Sequence, residues 1–350
     1  MKTVRIWLNH WFSTAYHIIN LIKLDTTIDF YVIGSNENVD SVIKLACDEW
    51  YKEPSIPDDD EYVNYCLSFC KEHKIRLFIP RRKMTAIIRR VTEFEEIGVS
   101  VLADYDYNKL MNLSDKDCTY RLFNEFAPEV IPERYVIRNV AEFKDAYERI
   151  TAQNDRACIK LAHDEGAVSF RVIDDRMAGY NGLFVQPGMK ISYKQAVEAL
   201  SEREYLPNFI VMPYLDGCEV SVDCLMTADG NIIIPRFKTG SRIAEIRYDH
   251  TIISLCERFF EYTGLKTPCN IQFKYHNGSP YLLEVNTRMS GGIQLSCTGA
   301  GVNIPNLAVN QLLGIDKKWV LRRVPSKVAY VETPMELPED SEVTGFEASL

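Results

Sequence analysis

The chain has no apolar run long enough to cross a bilayer as a helix, and none lies behind a basic start as in a secretion signal. Residues 1–8 instead read as a strand of the fold, and a membrane partner is not expected. There is no excess of basic charge. Forty Lys and Arg stand against forty-nine Asp and Glu, and the net charge of −9 argues against a general nucleic-acid binder. There is no Cys-x-x-Cys pair among the ten cysteines. Cys66 and Cys70 are four apart, and no second pair or histidine cluster completes a zinc site. Cys47, Cys158, Cys224 and Cys256 sit in apolar segments, which reads as reduced, buried thiols of a cytoplasmic protein. Cys118 and Cys218 are given packing roles as well. No internal repeat or low-complexity tract is present. The first apolar run is followed by Asn9-His10-Trp11-Phe12-Ser13, without a glycine, so it lacks the dinucleotide-binding fingerprint.

What is present is a globular composition, 46% apolar over 350 residues, enough for two domains or a two-lobed enzyme. The first hundred residues alternate strand signals (4–8, 28–33, 75–79, 99–102) with helical ones (14–24, 61–72, 84–97). That alternation predicts an α/β fold with a parallel sheet covered on both faces. Arg81 and Arg82 follow a strand end, where such sheets bind ligands; a solvated turn is the alternative.

The most informative segment runs from Tyr281 to Gly292. It is an apolar strand ending in Glu284 and Asn286, which point to the same face because strand side chains alternate. A carboxylate and a carboxamide side by side suit a hard cation such as magnesium. Arg288 and the Ser290-Gly291-Gly292 turn add a positive charge and backbone N–H groups for anions. Residues 269–275 form a preceding strand, with Asn277-Gly278 as the hairpin turn. Folding the hairpin brings Gln272 near Glu284. A two-residue turn would set Gln272 opposite Leu283, on the wrong face, so the reading requires an odd-membered loop or a bulge.

These residues resemble the ATP-grasp superfamily, in its carbamoyl-phosphate synthetase and carboxylate–amine ligase flavour, from the first strand to about Gly314. The resemblance implies an N-terminal pre-ATP-grasp domain over 1–108 and a two-lobed ATP-grasp domain over 109–320, with the small lobe at 135–215. Residues 321–350 would be a terminal strand and acidic tail. It implies that Gln272, Glu284 and Asn286 hold Mg2+, with Mn2+ as a substitute, against the phosphates of ATP, and that Arg288 neutralises the phosphoryl group in transfer. Gln272, where many members have Asp, is closer to the carbamoyl-phosphate synthetases. Asp115-Lys116, in a helix with Ser114 as N-cap, resembles the family's phosphate-reaching lysine. Lys160 on an apolar strand resembles a second one, followed by a lid loop over 162–169. That loop departs from the family in keeping only Gly166, and Ser169 stands where a glycine is common.

Residues 209–219 resemble the hinge between lobes. The adenine would meet the Pro213 carbonyl and the Leu215 N–H, and Glu219 the ribose. Met212 and Tyr214 would add apolar contact or face the core. Arg236 and Lys238 share a strand face and would bind triphosphate or an anionic substrate; a solvated basic face is the competing reading. Arg247 and His250 offer the same choice, and Asp223 and His250 are candidate bases. Gly291 and Gly292 would hold a substrate carboxylate. A helix from Asn303 to Leu313 should pack behind the metal strands.

The function implied is an ADP-forming carbon–nitrogen ligase that activates a small carboxylate as an acyl phosphate for an amine. The alternatives are kinase-like chemistry that stops at the phosphorylated intermediate, and a nucleotide-binding regulatory module. A homodimer is the default assembly.

Overall fold

The computed structural model describes residues 3–164, 168–177 and 188–337. By packing the chain divides into two units. The first comprises Met1–Met111, Ser221–Ile271 and Asn286–Leu350; the second comprises Asn112–Val220 and Gln272–Val285. Among the described residues no helix is long and apolar enough to cross a membrane.

The first unit opens with a five-stranded parallel sheet. Its strands are β1 (Thr3–Asn9), β2 (Asp29–Asn36), β3 (Glu49–Lys52), β4 (Leu77–Ile79) and β5 (Ser100–Val101), in the order β3-β2-β1-β4-β5. The alternation on β1 sends Ile6 and Leu8 to one face and Trp7 to the other. Ile6 and Leu8 pack with α1 (Ala15–Lys23), whereas Trp7 stacks on Phe78 and on Phe69 of α2 (Asp59–Glu72), each 4.3 Å away. The helix expected over 84–97 is interrupted. It forms α3 (Met84–Arg89) and α4 (Val91–Glu96), because Arg90 leaves helical geometry (φ −116°) and its guanidinium bonds both Glu93 oxygens and Asn64 Oδ1. Next come α5 (Tyr107–Ser114) and α6 (Lys116–Asn124). The expected cap is corrected here: Ser114 ends α5, and Asp115 is the N-cap of α6, accepting from the Cys118 N–H.

The second unit holds a mixed sheet of β6 (Tyr135–Ile137), β7 (Ala157–Leu161), β8 (Arg171–Ile173), β9 (Lys190–Ile191) and β10 (Phe209–Pro213), in the order β6-β10-β7-β8-β9. Helices α7 (Val140–Thr151) and α8 (Tyr193–Ser201) cover one face. Asn139 caps α7, and Ser192 and Gln195 form a capping box on α8. Phe143, Ile150, Ile159 and Val211 belong to that covered face. Period-2 alternation therefore turns Cys158, Lys160, Ile210 and Met212 to the opposite face, where the register pairs Lys160 with Ile210 and Cys158 with Met212.

The third sheet is built of β11 (Glu219–Thr227), β12 (Gly230–Lys238), β13 (Ile243–Ile246), β14 (Cys269–His276), β15 (Ser279–Asn286) and β16 (Ser326–Ala329). Its order is β15-β14-β11-β12-β13-β16. Helices α9 (His250–Thr263), α10 (Ile293–Ala300) and α11 (Ile304–Leu312) complete the first unit. The α11 helix is capped by Asn303, as expected. Among the described residues it shares a core with Leu225 of β11 and with Ile232 and Ile234 of β12. Its polar face bonds α1, Asn303 Nδ2 donating to the Leu21 carbonyl (2.7 Å) and Asn306 Nδ2 to that of Ile22 (3.2 Å).

Candidate functional site

In the second unit, α6 presents Lys116 and Tyr120, one turn apart and therefore on the same helix face. Lys116 is buried. Its Nζ donates to the Asp164 carbonyl (2.7 Å) and to Asp164 Oδ1 (2.6 Å), and lies 3.7 Å from Glu284 Oε2. Lys160 is buried as well, its Nζ donating to Tyr120 Oη (2.9 Å) and to the Leu283 carbonyl (3.3 Å). The Tyr120 hydroxyl in turn donates to that carbonyl at 3.0 Å. Burial alone would pull the Lys160 pKa down, but the Tyr120 hydroxyl, the Cys158 thiol and the Glu284 carboxylate outweigh it and hold the value above the ordinary one. The ammonium therefore stays charged. Two buried cations converging on one strand edge, with a carboxylate beside them, are chemically suited to polyphosphate. Tyr120 and Asp164 were not singled out from sequence; the spacing of four from Lys116 was the available signal for Tyr120.

The ends of the expected lid are described, whereas Gly166 lies outside the described residues. Ser169, standing where a glycine was expected, fastens the loop ends. Its Oγ accepts from the Leu161 N–H (2.8 Å) and donates to Asp164 Oδ2, and its N–H donates to the same oxygen at 3.0 Å. Burial would raise the Asp164 carboxyl, but hydrogen bonds from Lys116 and Ser169 prevail and hold it below the usual range.

The hairpin excludes one of the two alternatives. Its loop is the two-residue Asn277-Gly278, with φ of 49° and 81°, the positive pair of a type I′ turn and not an odd-membered loop. Beyond the turn, burial carries the signature of an extra residue on β15. Buried apolar positions are two apart on β14 (Ile271, Phe273) but three apart on β15 (Leu282, Val285), the spacing that a bulge at Leu283-Glu284 produces. The Leu283 carbonyl, free to accept from Tyr120 and Lys160, agrees with that. The oxygen donors Gln272, Glu284 and Asn286 are all partly exposed and are the right chemistry for a hard cation.

At the hinge, the Tyr214 N–H is taken by the Arg156 carbonyl (2.9 Å), and the Cys158 thiol lies 3.6 Å from the Pro213 carbonyl. The Tyr214 ring lies 4.6 Å from Arg156 and 5.1 Å from Lys274, so it is a platform for cations. Met212 and Leu215 are buried. Gly217 donates to the Tyr275 carbonyl and Tyr275 N–H to that of Cys218, both at 2.9 Å; a Cβ at Gly217 would come within 2.4 Å of the Tyr275 oxygen. The hinge needs a glycine there. Glu219 opens β11 and is partly exposed.

In the first unit the structure brings Arg236 to Gly292. A Cβ on Gly292 would lie 2.4 Å from Arg236 Nη2, so the guanidinium rests directly on the turn. Arg236 is buried, with Nη2 3.1 Å from Ser221 Oγ and 3.6 Å from Asp223 Oδ2, and Nε 3.3 Å from Ser296 Oγ. Asp223 is fully buried and accepts from Ser296 Oγ (2.6 Å) and Asn270 Nδ2 (3.0 Å). With both oxygens so engaged, it is an anchor for Arg236 and not a free base. Tyr330 Oη donates to the Gly291 carbonyl (3.0 Å) and accepts from Gln294 Nε2 (2.9 Å). The Arg288 guanidinium lies 5.3 Å from the Phe12 ring centroid. Lys238 is exposed at the end of β12. Arg247 stacks 3.7 Å from the Phe237 ring, and His250 is exposed at the start of α9. Asn270, Ser296 and Tyr330 were not legible beforehand, since each meets its partner across a long stretch of chain.

Comparison with known proteins agrees with this architecture. Residues 205–334 match the family model described as ATP-grasp in the biosynthetic pathway with Ter operon. The arginine-specific carbamoyl phosphate synthase large chain of Geobacillus stearothermophilus is 23% identical over 301 residues, 81% of this chain but 26% of that one. This chain thus spans about a quarter of that relative. Among solved structures, the N5-carboxyaminoimidazole synthetase of Staphylococcus aureus, complexed with ADP, superposes with a TM-score of 0.69 at 11% identity. The match covers 95% of this chain and 83% of that one. The biotin carboxylase domain of Hydrogenobacter thermophilus 2-oxoglutarate carboxylase, with MgADP and bicarbonate, gives 0.64 at 13% identity, covering 92% and 73%. The family match is thus confined to residues 205–334, and the solved ATP-binding structures share the fold of the whole chain.

Proposed function

We propose that this protein is an ATP- and magnesium-dependent ligase that activates a carboxylate as an acyl phosphate for attack by an amine. The observation that carries the reading is the pair of buried ammonium groups, Lys116 and Lys160, gathered at the Leu283-Glu284 edge. Burying two cations in this way is costly unless anionic charge is to be met there. Lys116 and Lys160 would balance phosphate charge, and Met212 and Cys158, on the same sheet face as Lys160, offer an apolar surface for a purine. Pro213 and Leu215 would read the adenine edge and Glu219 the ribose. Gln272, Glu284 and Asn286 would hold the magnesium, which when bound orients and neutralises the phosphates. Arg288 would neutralise the phosphoryl group, and the Arg236–Gly291–Gly292 group would hold the substrate carboxylate. In the first step a carboxylate oxygen attacks the γ-phosphorus and ADP leaves. In the second the amine attacks the acyl carbon and inorganic phosphate leaves.

One observation favours a second reading, a nucleotide-binding regulatory module. Asp164 already occupies Lys116, where phosphate would otherwise bind. The two separate on ADP and phosphate release with ATP and magnesium across pooled carboxylates and amines, with Glu284→Gln as control. Release that needs both substrates and is lost in the variant supports the ligase. Release with a carboxylate alone points to kinase-like chemistry. ATP binding without release in any pool supports the module.

A further inference from the structure

The N-terminal strand ends of the first sheet border a cavity of about 570 Å3, formed wholly within the first unit. Ligands of parallel sheets ordinarily sit at the opposite, C-terminal strand ends, so this cavity stands apart from that edge. Its volume is in the range, about 300–1,000 Å3, that holds small organic molecules.

The lining has two chemical parts. Arg5 on β1, and Lys74 and Arg76 on the segment leading into β4, are cationic. Val4, Ile28, Leu313 and Ile315 are apolar. Two threonines complete the lining, and no carboxylate takes part. That runs against the composition, since the chain carries forty-nine acidic residues to forty basic ones.

Arg5 is neutralised, with Nη2 3.0 Å from Glu49 Oε2 and the guanidinium 4.6 Å from the Tyr31 ring centroid. Lys74 and Arg76 are different. Both are exposed, and among the described residues neither has a carboxylate partner. Arg76 Nη1 donates to the Gly98 carbonyl, which leaves Nε and Nη2 uncommitted among the described residues. The backbone that carries this guanidinium is fixed from both sides. The Arg76 N–H donates to the Arg5 carbonyl (2.9 Å), and the Ser100 N–H donates to the Arg76 carbonyl (3.0 Å). Lys74 stands just past the end of α2 at φ 51°, a position that glycine usually takes. The Ile75 N–H closes that turn on the Cys70 carbonyl (2.9 Å).

The apolar part is held as firmly. The Ile315 N–H donates to the Asn310 carbonyl (2.9 Å) at the end of α11, yet the residue keeps 40% of its surface exposed. Thr27 Oγ1, on the approach to β2, donates to Asp25 Oδ1 (2.7 Å) and accepts from Lys317 Nζ (3.1 Å). Two unneutralised cations and an exposed isoleucine therefore share one preformed cavity, which suits a ligand with a charged head and an apolar body.

We propose that this cavity binds a small organic anion, a carboxylate or phosphate monoester on a short apolar body. Arg76 and Lys74 meet the anion, and Leu313 and Ile315 meet the body. The assignment does not depend on the ligase reading.

The test is titration calorimetry on the full chain with four probes: hexanoate, hexyl phosphate, hexanol and inorganic phosphate. One of the two amphipathic anions should bind at least tenfold tighter than hexanol and than inorganic phosphate, and comparing the two tells a carboxylate head from a phosphate. Arg76→Gln should weaken that binding about tenfold, the loss of one charge-assisted hydrogen bond. Lys74→Gly should also weaken it, without lowering the melting temperature, because glycine adopts a positive φ freely. Ile315→Ser should weaken the amphipathic anion and leave inorganic phosphate unchanged. Equal affinity for hexyl phosphate, hexanoate and inorganic phosphate would mean a bare basic surface and would overturn the assignment. Unchanged affinity in both Arg76→Gln and Lys74→Gly, with normal melting, would place the binding elsewhere and overturn it as well. So would the absence of heat from either amphipathic anion at about 10 mM.

Discussion

Removing the carboxylate of Asp223 should be among the most destabilising single changes in the first unit. Asp223 has no exposed surface, and it is the negative charge facing Arg236, itself 6% exposed. Ser296 bridges the pair, Ser221 accepts from Arg236, and Asn270 fixes the other carboxylate oxygen. Asp223→Ala leaves a buried guanidinium unneutralised and strips acceptors from Ser296 and Asn270. Breaking a buried pair in this way costs about 3–5 kcal/mol. Asp223→Asn keeps the shape and one acceptor oxygen, so the loss should be smaller, roughly 1–3 kcal/mol. Replacing both partners, as Asp223→Leu with Arg236→Met, removes the need for compensation and should restore most of the stability.

The assay is urea unfolding followed by tryptophan fluorescence. All four tryptophans, Trp7, Trp11, Trp50 and Trp319, belong to the first unit, so the signal reports the unit that holds the pair. The midpoint should shift down in Asp223→Ala without a change in slope. The two single variants and the double variant close a cycle, and the coupling should approach the cost of the single Asp223 change. A loss below about 1 kcal/mol for Asp223→Ala would mean that Arg236 finds water or another anion, and the argument for an anchored guanidinium beneath Gly292 would be wrong.

Tyr120→Phe removes the hydroxyl that links Lys160 to the Leu283 carbonyl. It should destabilise the second unit by about 1–3 kcal/mol and raise KM for ATP, and full-length protein with wild-type melting and kinetics would refute the bridging role. Asp25→Asn tests a charge buried at the end of α1. Burial opposes the Asp25 carboxylate, but bonds from Lys317, Thr27 and Asn310 prevail and hold its pKa below the ordinary range. A depressed folded value means that the stabilisation is complete above the unfolded value, roughly pH 4, and is lost as pH falls further. The gap between wild type and Asp25→Asn should therefore be full at neutral pH and close in acid; a gap independent of pH would contradict the charge assignment.

What could be read from sequence was local. The Glu284-x-Asn286 spacing and the Asn277-Gly278 turn lie within ten residues, and both act through backbone geometry that neighbours alone dictate. The strands at β1, β2 and β4 were legible for the same reason, whereas β3 was not. Its Glu49-Trp50-Tyr51-Lys52 is short, and its carboxylate is inside the pattern because Tyr31 on the adjacent strand and Arg5 on the strand beyond bind it at 2.8 and 3.0 Å. Asp115 displaced Ser114 as the cap because α5 runs through Ser114, a tertiary outcome that either residue's own preference leaves open.

The assembled clusters were illegible for a stronger reason. Arg236 meets Ser296 across sixty positions, and Arg82 meets His10 across seventy-two. Neither pair leaves a periodic trace, since a single polar residue on an apolar strand looks alike whether it faces solvent or a partner. Only the strand order decides. With β4 on the far side of β1 from β2, Arg82 comes to His10; had β4 joined the edge beyond β3, the same two residues would stand several strands apart, at about 4.8 Å per strand. The residue types are thus written in the sequence, and the clusters that unite them are created by topology.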